Sequence, residues 1–184
     1  MDLERKWIKE IKRNANAEAA NHLISKYYKE IYGFVFKQTT DTELSLDLTQ
    51  EIFISVLKSI RHFEGRNATF RTWLYQIASN RVVDFYRSKQ YKLRRLSETL
   101  EDKDFKDDED IVLSLEYKED IEKITSIINT LEVGYQKVIR LKLFGDYRFN
   151  EIAEIEQIPL STVKTRYYAA LRLIKKEMKV FYDD

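Results

Sequence analysis

The stretch "TFRTWLYQIASNRVVDFYR", Thr69 to Arg87, runs nineteen residues without a glycine or proline. Phe70, Leu74, Ile77, Ala78 and Phe85 recur in it at spacings of three, four and seven, which places them on one helical face and predicts a core stripe. Trp73 borders that stripe. Gln76, Asn80, Val83 and Arg87 fall along a second line, expected to lie open. The segment carries five aromatics, Phe70, Trp73, Tyr75, Phe85 and Tyr86, together with Arg71, Arg81 and Arg87. Packing alone does not require rings and guanidiniums on the same turns. Arg81 projects near the apolar face, where a snorkelling stem serves packing as well as it serves a ligand. Asp84 is the one acid among these cations.

Working outward, Gly65 in "RHFEGRNA" marks a loop and a left-handed turn, and Thr69 is placed to cap the helix that follows. Upstream, helical periodicity covers Leu3 to Lys12 and Ala17 to Lys37, the latter with Leu23, Tyr27, Ile31, Phe34 and Val35 on one side. After "QTTDTEL" a third helix is expected, capped by Ser45, with Leu48, Ile52, Phe53, Val56, Leu57 and Ile60 as its stripe. Downstream, "SETLEDKDFKDDED" (Ser97 to Asp110) has few apolar residues and dense like charge, as a flexible linker does. Helices are expected beyond it from Val112 to Asn129, Gly134 to Phe144, Asn150 to Glu156 and Ser161 to Phe181. No internal repeat recurs at a fixed period. The reading is all-α, two small helical domains joined by an acidic linker: residues 1–95, linker 96–111, and 112–184.

Composition supports this. The 184 residues are 43% apolar, with only four glycines and one proline, a helical balance. Cysteine is absent, which excludes disulfides and thiolate metal sites and suits a reducing compartment. His22 and His62 have no ligand-spaced partner, so no metal, cofactor or catalytic residue is expected. No apolar run approaches a membrane span and no signal-peptide core opens the chain, so no membrane insertion and a cytoplasmic location are expected. The net charge of +1 conceals segregation. From Arg61 to Arg95 nine Lys/Arg face two acids; from Ser97 to Glu122 twelve Asp/Glu face three lysines; from Leu160 to Lys179 six Lys/Arg face one acid. Two basic blocks suit a polyanion, although solvated helix faces have the same composition.

"FNEIAEIEQIPLSTVKTRYYAALRLIKKEM" has the grammar of a helix-turn-helix. Asn150 is placed to cap a short helix, "EQIP" turns the chain, Pro159 cannot continue a helix under way, and Ser161 is placed to cap the next. Ala153 is small where helices cross, and Val163 and Ile158 complete their shared core. Ser161, Thr162, Lys164, Thr165, Arg166 and Tyr168 then occupy the early turns, where a recognition helix meets base edges. Lys164 and Arg166 suit guanine edges or phosphate. Lys175, Lys176 and Lys179 suit phosphates or solubility, and Tyr167 and Tyr168 suit packing equally well.

The chain resembles a bacterial extracytoplasmic-function (ECF) sigma factor over nearly its whole length, through "DLTQEIFISVLKSI", then "FEGRNATFRTWLYQIASNRVVDFYR", then "EIAEIEQIPLSTVKTR", in that order. The resemblance implies that 1–95 is region 2, a helical bundle that binds the polymerase clamp and opens the −10 element. It implies that 112–184 is region 4, which reads the −35 element and binds the polymerase flap. The partners implied are core RNA polymerase, promoter DNA and an anti-sigma factor. Arg66, Asn67, Phe70, Arg71, Asn80, Arg81, Asp84 and Arg87 are the −10 residues so implied, the loop and Asn80 holding an extruded base. Asp47, Gln50, Glu51, Phe53 and Lys58 become clamp contacts, Phe53 as core or interface. Three departures stand out: "LEVG" (Leu131 to Gly134) where the family often has Leu-Pro, Ser161 where it often has glycine, and Ala169 where it often has arginine. The last puts in question one −35 contact implied by the resemblance, though not the helix-turn-helix itself.

Two other classes compete with a promoter-specificity subunit. A stand-alone helix-turn-helix repressor or activator would use the N-terminal half as a sensor or dimerisation module. An enzyme would need a phosphate loop, a cysteine nucleophile or paired histidines, and none is present. An acidic linker that shields the basic blocks is a further expectation, matched by solvated disorder.

Overall fold

The computed structural model describes residues 3–66, 68–88 and 109–182, with side chains from 118 to 179 in the last stretch. Asn67 and the expected linker as far as residue 108 lie outside the described residues; 109–111 already belong to a helix. Every regular element among the described residues is helical: α1 Leu3–Asn14, α2 Ala17–Thr39, α3 Thr42–Ser59, a 3₁₀ turn Ile60–His62, α4 Phe70–Arg87, α5 Glu109–Thr130, α6 Val133–Leu143, α7 Phe149–Glu156 and α8 Leu160–Tyr182. The chain forms two compact units, Met1–Ala78 and Ser79–Asp184, so the division falls inside α4.

In the first unit, Asn16 opens α2 by accepting a hydrogen bond from the Ala19 amide at 2.9 Å. Thr40, left-handed at φ 51°, closes it by donating its amide to the Phe36 carbonyl. Asp41 then caps α3 through the Leu44 amide at 2.9 Å. Ser45, expected in that role, instead sits buried in the first turn, its hydroxyl 2.5 Å from the Asp41 carbonyl oxygen. An acid one turn earlier reaches the orphan amides first, and the serine is left to bond backward. Leu23, Ile31 and Val35 of α2 meet Leu48, Ile52 and Val56 of α3 in the core, all at most 2% exposed. Each such burial contributes about 1.5–3 kcal/mol.

The entry to α4 is as expected: the Thr69 hydroxyl oxygen accepts from the Thr72 amide at 3.1 Å. Phe70, Leu74 and Ala78 are buried, whereas Ile77 and Phe85 are only half-buried. Val83, expected on the open line, is 1% exposed, and Val82 and Tyr86 beside it are buried as well. The buried positions shift around this helix between its first half, in one unit, and its second half, in the other.

In the second unit, Ile128, Val138, Ile139, Leu141, Ile152 and Val163 are fully buried. Gln136, also buried, donates its amide to the carbonyls of Leu131 (2.8 Å) and Asn129 (3.2 Å), which fastens the α5–α6 turn. Arg140 is 0% exposed; its Nη2 donates to Asn129 Oδ1 at 2.5 Å and its guanidinium lies 4.5 Å from the Tyr86 ring centroid. Two expected caps are displaced. Arg148 precedes α7, with the Glu151 carboxylate accepting from its amide at 2.8 Å, so Asn150 lies within the first turn. The Pro159 carbonyl accepts from the Val163 amide at 3.1 Å, so Pro159 holds the cap position of α8 and Ser161 lies inside it. Proline needs no partner for an amide hydrogen it does not have.

Candidate nucleic-acid interface

The turn ahead of α4 is built on rings. Phe63 meets Phe70 edge-on at 5.6 Å and 84° and lies 5.2 Å from Trp73; Phe70 in turn lies 5.8 Å from Trp73 and 5.5 Å from Tyr27. Lys12 of α1 donates to the Phe63 carbonyl and sits 5.8 Å from the Phe63 ring centroid. Gly65 adopts φ 69°, where a side chain would be strained and its Cβ would touch the Phe63 ring. The chain therefore leaves the ring cluster at a defined angle and carries Arg66 exposed to solvent. The cluster is anchored beneath by polar contacts. Tyr27 donates its hydroxyl to Glu4 at 2.5 Å, and Lys26 pairs with the same carboxylate at 2.5 Å. Burial, reinforced by Glu4, pushes the Tyr27 phenol well above its ordinary range, so it remains a donor.

The −10 residues implied by sequence divide by environment. Phe70 is 2% exposed and belongs to the ring cluster. Arg71 is held by Glu30, with Nε to Oε1 at 2.7 Å and Nη2 to the same oxygen at 2.5 Å, and lies 5.3 Å from the Tyr75 ring centroid. Asn80 and Arg81 are half-buried, whereas Asp84 and Arg87, one turn on, are exposed. Asn67 lies outside the described residues.

On α8, Ser161, Lys164, Thr165 and Tyr168 are exposed, Tyr168 to 54%, and Thr162 is half-buried. The Thr165 hydroxyl donates to the Ser161 carbonyl at 2.9 Å, leaving its oxygen to accept. Arg166 is only half-buried and folds back over Gly134: a Cβ built there would lie 2.9 Å from the guanidinium carbon. Tyr167 packs on Phe149 at 5.1 Å. Behind the helix-turn-helix, Glu156, with 8% of its side chain exposed, pairs with Lys137 at 3.6 Å. Burial outweighs Lys137 and raises the Glu156 pKa.

On α3, Asp47, Gln50, Glu51 and Lys58 are exposed and Phe53 is buried. Beside them lies a feature the sequence reading missed. Tyr28, Tyr32 and Phe36 stack along α2 at 6.4 and 5.8 Å, and Tyr28 reaches the Phe53 ring at 6.1 Å. Leu46 and Ile54 are 44% and 46% exposed on the same helix as the charged set. The signal was present: aromatics at spacing four, flanking the core line of α2.

No helix among the described residues is long and apolar enough to cross a membrane, and no cluster there gathers three metal-ligating side chains. Two family models match the chain: sigma-70 region 2 over residues 23–91 and sigma-70 region 4 over residues 121–174. The Bacillus subtilis RNA polymerase sigma factor YlaC is 31% identical over 164 residues, covering 88% of this chain and 92% of that protein. The ECF RNA polymerase sigma factor SigW of the same organism is 30% identical, covering 95% and 96%. Among solved structures, CnrH in complex with the cytosolic domain of CnrY matches with a TM-score of 0.63 at 17% identity, covering 97% of this chain and 99% of that one. The sigma factor RpoE of Bartonella quintana, solved with the anti-sigma factor NepR, matches with a TM-score of 0.51 at 15% identity, over 87% of this chain and 96% of that one. Both promoter-reading modules in one chain, in this order and over nearly the full length of the relatives, set aside the stand-alone helix-turn-helix regulator. The chain belongs to the ECF sigma factors of the sigma-70 family, the RNA polymerase subunits that direct promoter recognition and opening.

Proposed function

We propose that this sigma factor divides its work between residues 1–95 and 112–184, does no covalent chemistry, and acts in the cytoplasm under an anti-sigma factor. The turn 64–69 and Asn80 hold a base extruded from the −10 element, with Arg66, Arg81, Asp84 and Arg87 placed for the strand around it and Arg71 released from Glu30 to join them. Separating a duplex costs about 1.4 kcal/mol per stacked step. Without ATP, the protein can offset this only by binding the opened strand better than the closed one. Pocketing or stacking a base contributes about 1–3 kcal/mol, and cations add attraction to the backbone. The observation that carries this reading is the ring-built turn, which fixes Phe63 and Phe70 on either side of the segment and aims Arg66 outward. On α8, Ser161, Thr162, Lys164, Thr165, Arg166 and Tyr168 address the −35 element. Asp47, Gln50 and Glu51, with the Tyr28–Tyr32–Phe36 ladder alongside, form the clamp face.

In vitro transcription by the full chain with core polymerase on a promoter library tests the whole reading, with permanganate footprinting of melted DNA as its sharper arm. Asn80→Ala is expected to weaken permanganate reactivity around −10 while upstream protection persists. Tight duplex binding by the free chain, without polymerase-dependent transcription, would overturn the assignment in favour of a stand-alone regulator.

A further inference from the structure

A groove of about 740 Å³ runs between α1 and the ring-built turn. This is within the range of small-molecule sites, about 300–1,000 Å³. One wall is the segment that leaves Phe63; the other is α1, which presents Arg5, Lys9, Lys12 and Arg13, with Ile8 at the floor. These cations are spaced by four, three and one, a single helical face. Arg5, Lys9 and Arg13 are exposed. The acids near them do not cancel the row. Glu4 is already taken by Lys26 and Tyr27, and Glu10 pairs with Lys6 on the same helix at 4.0 Å. Glu64 alone remains as an exposed acid on the lining. Helix α1 also lies outside residues 23–91, the part matched by region 2.

We propose that this groove is a second single-stranded DNA subsite, which takes the strand as it leaves the extruded base and sets its phosphates along Arg5 and Lys9. The inference rests on the reading of the turn 64–69 as the base holder. Continuity selects the occupant: a strand held by that turn already stands at the groove, whose far wall is cationic. Lys12 has a positioning role, since it holds the Phe63 carbonyl.

The test uses the full chain assembled with core polymerase and non-template oligonucleotides from a promoter that this holoenzyme opens. One oligonucleotide is confined to the −10 element; the other extends several nucleotides on both sides. The extended strand is expected to bind more tightly. Arg5→Gln/Lys9→Gln, both surface changes, is expected to remove most of that gain, about tenfold, and to lower the salt dependence by about 1.4 in log–log slope, at about 0.7 per phosphate contact. Affinity for the short strand is expected to stay unchanged. Equal binding of both lengths by the unaltered protein, or an equal loss on both in the double variant, would overturn the subsite. A polyglutamate peptide that displaces the extended strand better than unlabelled strand does would assign the groove to an acidic protein instead. If the short strand fails to bind while the extended one binds through Arg5 and Lys9, the subsite stands and the base-holding turn falls.

Discussion

In the proposed reading the turn ahead of α4 and the first turns of α8 both offer cations to DNA, but they use their residues differently. On α8 the exposed set, Ser161, Lys164 and Thr165, is separate from the buried set, Val163 and Ala170. A regular helix laid in a groove needs no more than that separation. At the turn, residues assigned to the strand by the proposal also hold the fold: Phe70 is core and Arg71 is held by Glu30, while Lys12 fixes the carbonyl of Phe63. Reading a closed duplex takes a decorated scaffold. Holding an opened strand takes a turn whose shape is itself maintained by packing.

The largest expected effect tests that interdependence. Phe70→Ala empties the centre of the ring cluster and is expected to cost about 3–5 kcal/mol in chemical denaturation of the full chain. A loss under about 1 kcal/mol would show that the turn is held by something other than rings. Next is the opposite behaviour on α8. Lys164→Ala is expected to weaken holoenzyme binding to −35 DNA by about 1–3 kcal/mol while unfolding stability stays within about 0.5 kcal/mol. A loss of stability with unchanged promoter affinity would erase the contrast.

The smallest effect concerns the scaffold behind α8. The folded protein raises the Glu156 pKa above its ordinary value of 4.5, with burial as the main cause. The protonated carboxyl is therefore favoured by folding, and that contribution is lost as pH rises from 4.5 through the raised folded value. Glu156→Gln, neutral at every pH, is expected to raise Tm slightly at neutral pH, with the gain fading below pH 4.5. A gain that does not change with pH would point to packing rather than charge.

Helix existence and order were legible in the sequence because periodic apolar residues announce them. Helix entry was not. Ser45, Asn150 and Ser161 are good cap residues, yet each lies inside the first turn, behind Asp41, Arg148 and Pro159. A serine one turn late can bond backward, so local chemistry alone does not decide between the two registers. Val83 was misplaced because a single helical wheel assumes one buried face, whereas the buried positions of α4 shift around the helix past Ala78. Buried Gln136 and Arg140 carried no sequence signal, since their partners, the Asn129 and Leu131 carbonyls and the Tyr86 ring, exist only once the chain has folded. The exposed residues of α8 were legible because their environment is the helix surface itself.

Gly134 stands where a methyl group would press on the resting guanidinium of Arg166. Any larger residue there would evict that cation toward solvent, since a flexible side-chain end yields more cheaply than backbone. Under the −35 role proposed for Arg166, promoter preference has a tuning screw twenty-six positions upstream of α8, which can be turned without altering a single reading residue.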